Sequence, residues 1–201
     1  MGALMNETQA AIHLGITKEL LYAYIRNEPK GDGRTLNTII KDGKNYFEET
    51  ELDAFDSFLK EPWAEPGEKR PPIPTYIKDY LKTEIQGKCP ITGKGYPLQD
   101  AHIIDYADCL NHHHHNLIRI CSEVHTKADN AVVPKEVLKE TKRQLIGTLK
   151  QRLLQEDEGY RRSFAPPKPN YFFVGRMEEL LDLTEAMEFN SMVIVQGIGG
   201  I

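Results

Sequence analysis

The chain has 201 residues, 27% of them charged and 40% hydrophobic, with a formal net charge of -5 at neutral pH. That is the composition of an ordinary soluble protein built from small modules in series, and the acidic balance argues against a chain that coats nucleic acid non-specifically. No apolar run approaches a bilayer-spanning length and the start lacks a signal pattern, so a cytoplasmic protein with no membrane partner is expected, while three irregularly placed cysteines exclude a disulfide framework.

Met1 to Leu4 read as a short irregular start. Asn6 with Gln9 three residues on forms a capping-box pattern, so a helix begins there with Ala10, Ala11 and Leu14 on its apolar face. Gly15 breaks it, and Thr17 caps a second helix to about Asn27 carrying Leu20, Leu21, Tyr24 and Ile25. A strand is expected over Leu36 to Ile40, a hairpin turn at Asp42-Gly43, a return strand from Tyr46-Phe47, and a further helix from Thr50 with Leu52, Phe55, Phe58 and Leu59. NETQAAIHLGITKELLYAYIRN, a turn and YFEETELDAFDSFL together resemble the small winged helix-turn-helix of the MerR and excisionase type over residues 1–62. The resemblance implies a second helix that presents Thr17, Lys18, Tyr22 and Arg26 to a DNA groove, with Lys41 and Lys44 of the hairpin on phosphates. Modules of this kind also serve as protein contacts.

Residues 63–74 hold Pro66, Pro71, Pro72 and Pro74 in a charged stretch and read as an extended tether between two domains. Tyr76 to Ile85 is a short amphipathic helix. Beyond it lies a dense run of chemistry: of seven histidines, all but His13 fall between Asp100 and His125, beside Asp, Asn and Cys. Such groups are costly to bury unless something uses them. Cys89-Pro90-Ile91-Thr92-Gly93 opens the stretch as a tight turn. Tyr96 to Ile104 alternates as a strand placing Asp100 and His102 on one face, Asp105 to His115 is a polar loop, and Asn116 to Ile120 is a second strand. Ser122 caps a helix that carries His125 and Asp129 on adjacent turns, which completes a ββα unit.

DAHI, then NLI, then CSEVHTKAD resemble the HNH, or His-Me finger, nucleases. The resemblance implies that His102 is the general base for water attack on phosphorus, that Asn116 orients it through a hydrogen bond, and that His125 holds one divalent ion, Mg2+ or Mn2+. Asp100 is the expected second protein ligand, although it stands one residue further back than the Asp that many members carry, a place filled here by Ala101, and Asp129 competes for the role. Members with a structural zinc carry two C-x-x-C pairs. Here Cys89 is paired with Thr92 and Cys121 with Val124, so no structural zinc is expected unless Cys109 or a loop histidine is recruited. Adjacent side chains of His112 to His115 should diverge in an irregular loop, which reads as an accidental metal ligand or a phosphate-facing polar segment rather than a second metal site.

Pro134 starts a long helix to about Glu158, with Leu138, Thr141, Leu145, Leu149 and Leu153 on one face and Lys135, Lys139, Lys142, Arg143, Lys150 and Arg152 opposite. It can cover the core, pair with a second copy or line a DNA path, and core cover is the simplest of these. Residues 161–170 form a second proline-rich tether. Residues 171–201, YFFVGRMEELLDLTEAMEFNSMVIVQGIGGI, resemble the opening of a STAND or NB-ARC NTPase, with Gly197, Gly199 and Gly200 as the start of a phosphate loop that lacks its Lys and Ser/Thr. ATP is therefore expected only in a region downstream.

The expected fold class is α+β: a winged helix-turn-helix, a ββα-metal nuclease domain at 75–160 with a long C-terminal helix, and an incomplete NTPase start. The implied function is that of a metal-dependent endonuclease on double-stranded DNA, an effector of an NLR-like antiphage protein that forms homo-oligomers through the downstream NTPase. The alternative is a catalytically inactive DNA-binding adaptor acting through the winged helix.

Overall fold

Local rules set the first helices. In the computed structural model, which describes residues 4–161, Asn6 Oδ1 accepts from the Gln9 amide at 2.9 Å and Gln9 Oε1 accepts from the Asn6 amide at 2.9 Å. This reciprocal cap starts α1 (Glu7–Leu14) and is worth about 1 kcal/mol. Gly15 ends it in the left-handed region at φ 66, and Thr17 Oγ1 accepts from Leu20 N to start α2 (Lys18–Arg26). A Cβ on Gly15 would stand 2.9 Å from Ile146 Cγ2 and 3.3 Å from His115 Nε2, so both backbone conformation and close packing select glycine there.

The expected irregular start instead contributes a strand. β1 (Leu4–Asn6), β2 (Ile39–Lys41) and β3 (Lys44–Glu48) form an antiparallel sheet in the order β1-β3-β2, with Met5 opposite Phe47 and Ile39 opposite Tyr46. The strand expected from Leu36 shortens to Ile39–Lys41, because Leu36 is buried and its N–H bonds Tyr24 O at 2.9 Å. Then come α3 (Glu49–Lys60), α4 (Thr75–Glu84), β4 (Leu98–His102), the single turn α5 (Tyr106–Cys109), a 3-10 turn at His114–Asn116, β5 (Leu117–Cys121), α6 (Ser122–Asp129) and α7 (Lys135–Arg161). The described chain is thus mixed helix and small antiparallel sheets. None of its helices is long and apolar enough to cross a membrane.

Residues 63–74 do not hold two domains apart. Met1–Arg161 is one compact unit, and one apolar core runs from Ala10, Tyr24 and Phe55 through Trp63 to Ile77, Leu81, Leu117, Leu149 and Leu153. Trp63 is locked into it, its amide bonding Leu110 O at 2.7 Å and its indole N–H bonding Leu59 O at 2.8 Å. The stretch is not extended throughout, since Glu68 N bonds Glu65 O at 3.0 Å across a turn with Gly67 at φ 91, and its apolar residues Trp63 and Ile73 found a core to pack on. A smaller core gathers Cys89, Ala101, Ile103, Ile118, Ile120, Cys121, Val124 and Leu138. Lys142 also departs from expectation. Rather than joining the basic flank of α7 it is buried, its ammonium 2.7 Å from both oxygens of Glu84 on α4. The expected second tether and the segment holding Gly197, Gly199 and Gly200 lie outside the described residues.

Candidate active site

β4 and β5 pair antiparallel, with Asp100 opposite Arg119, Ala101 opposite Ile118 and His102 opposite Leu117. Side chains alternate across a strand, so the hairpin has two distinct faces. Ala101, Ile118 and Ile120 pack with Val124 of α6 and Leu138 of α7, whereas Leu117 on the other face joins the core that holds Ile77 and Leu81 of α4. α6 follows β5 directly, so residues 98–129 form a hairpin with a helix on one face.

This alternation corrects the expected metal set. Asp100 lies on the side away from Val124, and its carboxylate is bonded to the Arg119 guanidinium at 2.9 Å. Burial raises its pKa, against the opposing charges of Arg119, Lys78 and Lys82. The residue that faces the α6 side is Ala101, which offers no donor. His125 is paired instead within its own helix, Nδ1 to Asp129 Oδ2 at 2.9 Å, and both remain accessible to solvent. Among the described residues the group of three or more His, Cys, Asp or Glu donors that converges is His113, His114 and His115, and it includes none of Asp100, His102, His125 and Asp129. An ion at the finger would therefore have to rely on His125 and Asp129, one imidazole and one carboxylate, with other ligands from water or substrate.

His102 sits in a chain of hydrogen bonds whose direction can be assigned from its end. Pro71 O can only accept, so His112 Nε2–H donates to it at 2.8 Å and His112 Nδ1 is a bare acceptor. His102 Nε2–H then donates to His112 Nδ1 at 3.0 Å, and His102 Nδ1 accepts from the Arg70 guanidinium at 3.2 Å. Tyr106 closes the site, with Arg70 over its ring at 4.9 Å and its ring stacked on His112 at 4.8 Å. Both imidazoles are neutral in this arrangement. Burial, Arg70 and His112 pull the His102 pKa down to about 4, and burial pulls that of His112 down as well.

Asn116 does not touch the His102 ring. Its Oδ1 accepts from Ile104 N at 2.8 Å, its Nδ2 donates to Ile104 O at 3.0 Å, and its own carbonyl accepts from Ile103 N at 2.8 Å. Both ends of the amide are spent on the backbone just after His102, so it fixes where the strand ends rather than how the ring is turned. Arg70, Tyr106, His112 and Arg119 were not foreseen as site residues. Arg70 could not have been, since it lies 32 positions before His102 in a proline-rich stretch.

The expected DNA-facing residues separate into two groups. Thr17 is buried, its hydroxyl used as the α2 cap, and Lys18 is 3.8 Å from Glu156 of α7. The N-terminal end of α2 borders a pocket it shares with Leu149, Arg152 and Leu153, so α7 occupies the approach that a groove-reading helix would need. Tyr22 is half-buried, with its pKa pushed up to about 12 chiefly by a hydrogen bond to Glu7. Arg26, Lys41 and Lys44 are exposed.

The polar loop is not phosphate-facing. His113 is 4% and His114 0% exposed, and His115 is half-buried. Cys89 and Cys121 are buried free thiols, and Thr92 Oγ1 lies 3.4 Å from Cys121 Sγ, where a second cysteine of each clamp is replaced. Comparison with known protein families, with curated proteins and with solved structures finds no match to this chain.

Proposed function

We propose that residues 89–130 form a phosphodiester-hydrolysing unit of the His-Me finger kind, acting on double-stranded DNA with His102 Nδ1 as general base. The observation that carries the reading is a neutral imidazole at the end of the first hairpin strand, its tautomer set by His112 and Pro71 and its free lone pair capped by a cation. That lone pair would take the proton of a water attacking phosphorus, and the bond to the 3'-oxygen would break. A base with a pKa near 4 is weak at neutral pH, and the cause is partly Arg70. A phosphate competes well for a guanidinium. Substrate would draw Arg70 off Nδ1, which frees the lone pair and removes the charge that depresses it. Arg70 then neutralises phosphate charge, His112 holds the ring, and Asn116 holds the strand end. His125 and Asp129 lie on α6, which packs on the hairpin face opposite the one that carries Asp100 and His102, so they have no step at the attacked phosphorus in this reading.

The test is cleavage of supercoiled and linear DNA by the 201-residue chain with Mg2+ or Mn2+. Cleavage should disappear in His102→Ala. Activity equal to the parent in that variant would refute the reading. A second reading has its own support: Ala101 where a carboxylate would face α6, together with Arg70 seated on His102, suits a catalytically inactive finger that serves as scaffold in a DNA-binding adaptor acting through the exposed Arg26, Lys41 and Lys44 of the winged helix. It predicts DNA retention that survives His102→Ala and falls in Arg26→Ala or Lys44→Ala. The role as effector of an antiphage STAND protein rests on the resemblance of residues 171–201 alone.

A further inference from the structure

We propose that His113, His114 and His115 form a buried tris-imidazole site for a zinc-class transition-metal ion, separate from the finger and independent of its activity. One ring nitrogen from each lies within 4.8 Å of the others, and adjacent ring centroids are 4.2 and 4.3 Å apart. Each ring is also gripped from outside by a different element. His113 Nε2 meets Asp56 Oδ1 of α3 at 2.9 Å, His114 Nδ1 meets the Tyr24 hydroxyl of α2 at 3.0 Å, and His115 Nε2 meets Gly15 O at 3.2 Å. Carboxylate, hydroxyl and carbonyl partners of this sort fix the orientation of metal-bound imidazoles and raise their basicity.

A second observation is an unused nitrogen within the cluster. His114 Nε2 is buried with no hydrogen-bond partner, on a side chain that is 0% exposed. An unsatisfied buried nitrogen costs about 1–3 kcal/mol, and an ion would satisfy it. Since Gly15 O can only accept, His115 carries its proton on Nε2 and leaves Nδ1 bare. His113 Nδ1 would give up only a 3.2 Å contact from His115 N. Three neutral nitrogens with no oxygen donor suit Zn2+, Co2+, Ni2+ or Cu2+ and disfavour Mg2+ and Ca2+. A cavity of about 510 Å³ borders His113 and His115 and gives room for a fourth ligand. Lys60, Lys139, Lys142 and Arg143 line it, with Lys60, Lys142 and Arg143 paired to Asp56, Glu84 and Glu140. An ion here would tie the loop carrying His112 to α2, α3 and the Gly15 turn.

The test uses the 201-residue chain freed of any tag and stripped with a chelator. Added Zn2+ should raise the melting temperature and remain bound through gel filtration, and Co2+ should give the intense visible bands of a tetrahedral site. His113→Gln and His115→Gln should each weaken Zn2+ binding at least tenfold, whereas His112→Gln and His125→Gln should retain it. A wild-type chain that holds no ion after filtration overturns the proposal, as does binding unchanged in the His113 and His115 variants. Should those variants fail to fold, the nitrogen hyperfine pattern of the Cu2+-loaded wild type decides: three imidazole nitrogens support the site, and fewer overturn it.

Discussion

Replacing Lys142 with Met should be among the most damaging single changes in the chain. The ammonium, 3% exposed, donates to both oxygens of Glu84 at 2.7 Å, and the Glu84 side chain is 0% exposed. Tyr80 OH also donates to Glu84 Oε1 at 2.7 Å. Lys142→Met leaves a buried carboxylate with that one neutral donor, and breaking such a pair costs about 3–5 kcal/mol. Protonation sets an independent bound. An ordinary glutamate, with a pKa near 4.3, takes a proton at pH 7 at a cost of about 3.7 kcal/mol, so the loss should settle at roughly 3–4 kcal/mol. In the variant the folded state would hold a proton that the unfolded state releases, so lowering the pH favours folding, and at pH 5 the deficit should shrink to about 1 kcal/mol. Urea unfolding of parent and variant at both pH values measures this. Glu84→Gln added to Lys142→Met should recover most of the loss at pH 7. A single variant within about 1 kcal/mol of the parent, or a deficit that does not change between pH 7 and pH 5, would show that the pair is not buried as described.

Gly15→Ala should cost about 2 kcal/mol or more, because a left-handed backbone alone costs roughly 1–2 kcal/mol and the new methyl meets Ile146 at 2.9 Å; thermal unfolding checks it. If cleavage is found, the acidic limb of kcat/KM, which reports the free enzyme with Arg70 still on His102, should lie near pH 4 rather than 6.5, and Arg70→Ala should move that limb upward by removing a neighbouring positive charge. His102 has a folded pKa below its unfolded one, so its contribution to stability is fully present above about pH 6.5 and is lost as the pH falls toward about 4; a pH series of unfolding midpoints, His102→Gln against parent, reads it. Asn116→Ala should lower activity and also loosen the loop after β4, visible as faster amide exchange at Ile103 and Ile104; a loss of activity with unchanged exchange would mean the amide acts on the ring after all.

The helices and the hairpin with its helix were legible because their causes are local. The Asn6 and Gln9 cap, the glycine at 15, the Thr17 cap and the alternation through Asp100 and His102 each involve residues a few positions apart, and backbone geometry leaves little choice among them. The same alternation, applied one step further, would have placed Asp100 with Arg119 and Ala101 toward α6, but only if the faces covered by α4 and α6 were already known. The buried stripe of α7 was read correctly at Leu138, Leu149 and Leu153, and misread at Lys142 because periodicity cannot show that Glu84 waits opposite.

What the sequence determined by itself was therefore the type and order of the longer elements, from α1 to α4 and from β4 through β5 and α6 to α7. Tertiary structure alone decided which groups meet. Arg70 reaches His102 across 32 residues, Lys142 reaches Glu84 across 58, and His115 reaches Gly15 across 100. Such partners are selected by the burial of one continuous core, a property of the whole chain that drives residues 63–74 onto its surface and turns three of the four consecutive histidines inward. Short-range spacing carries no trace of that selection.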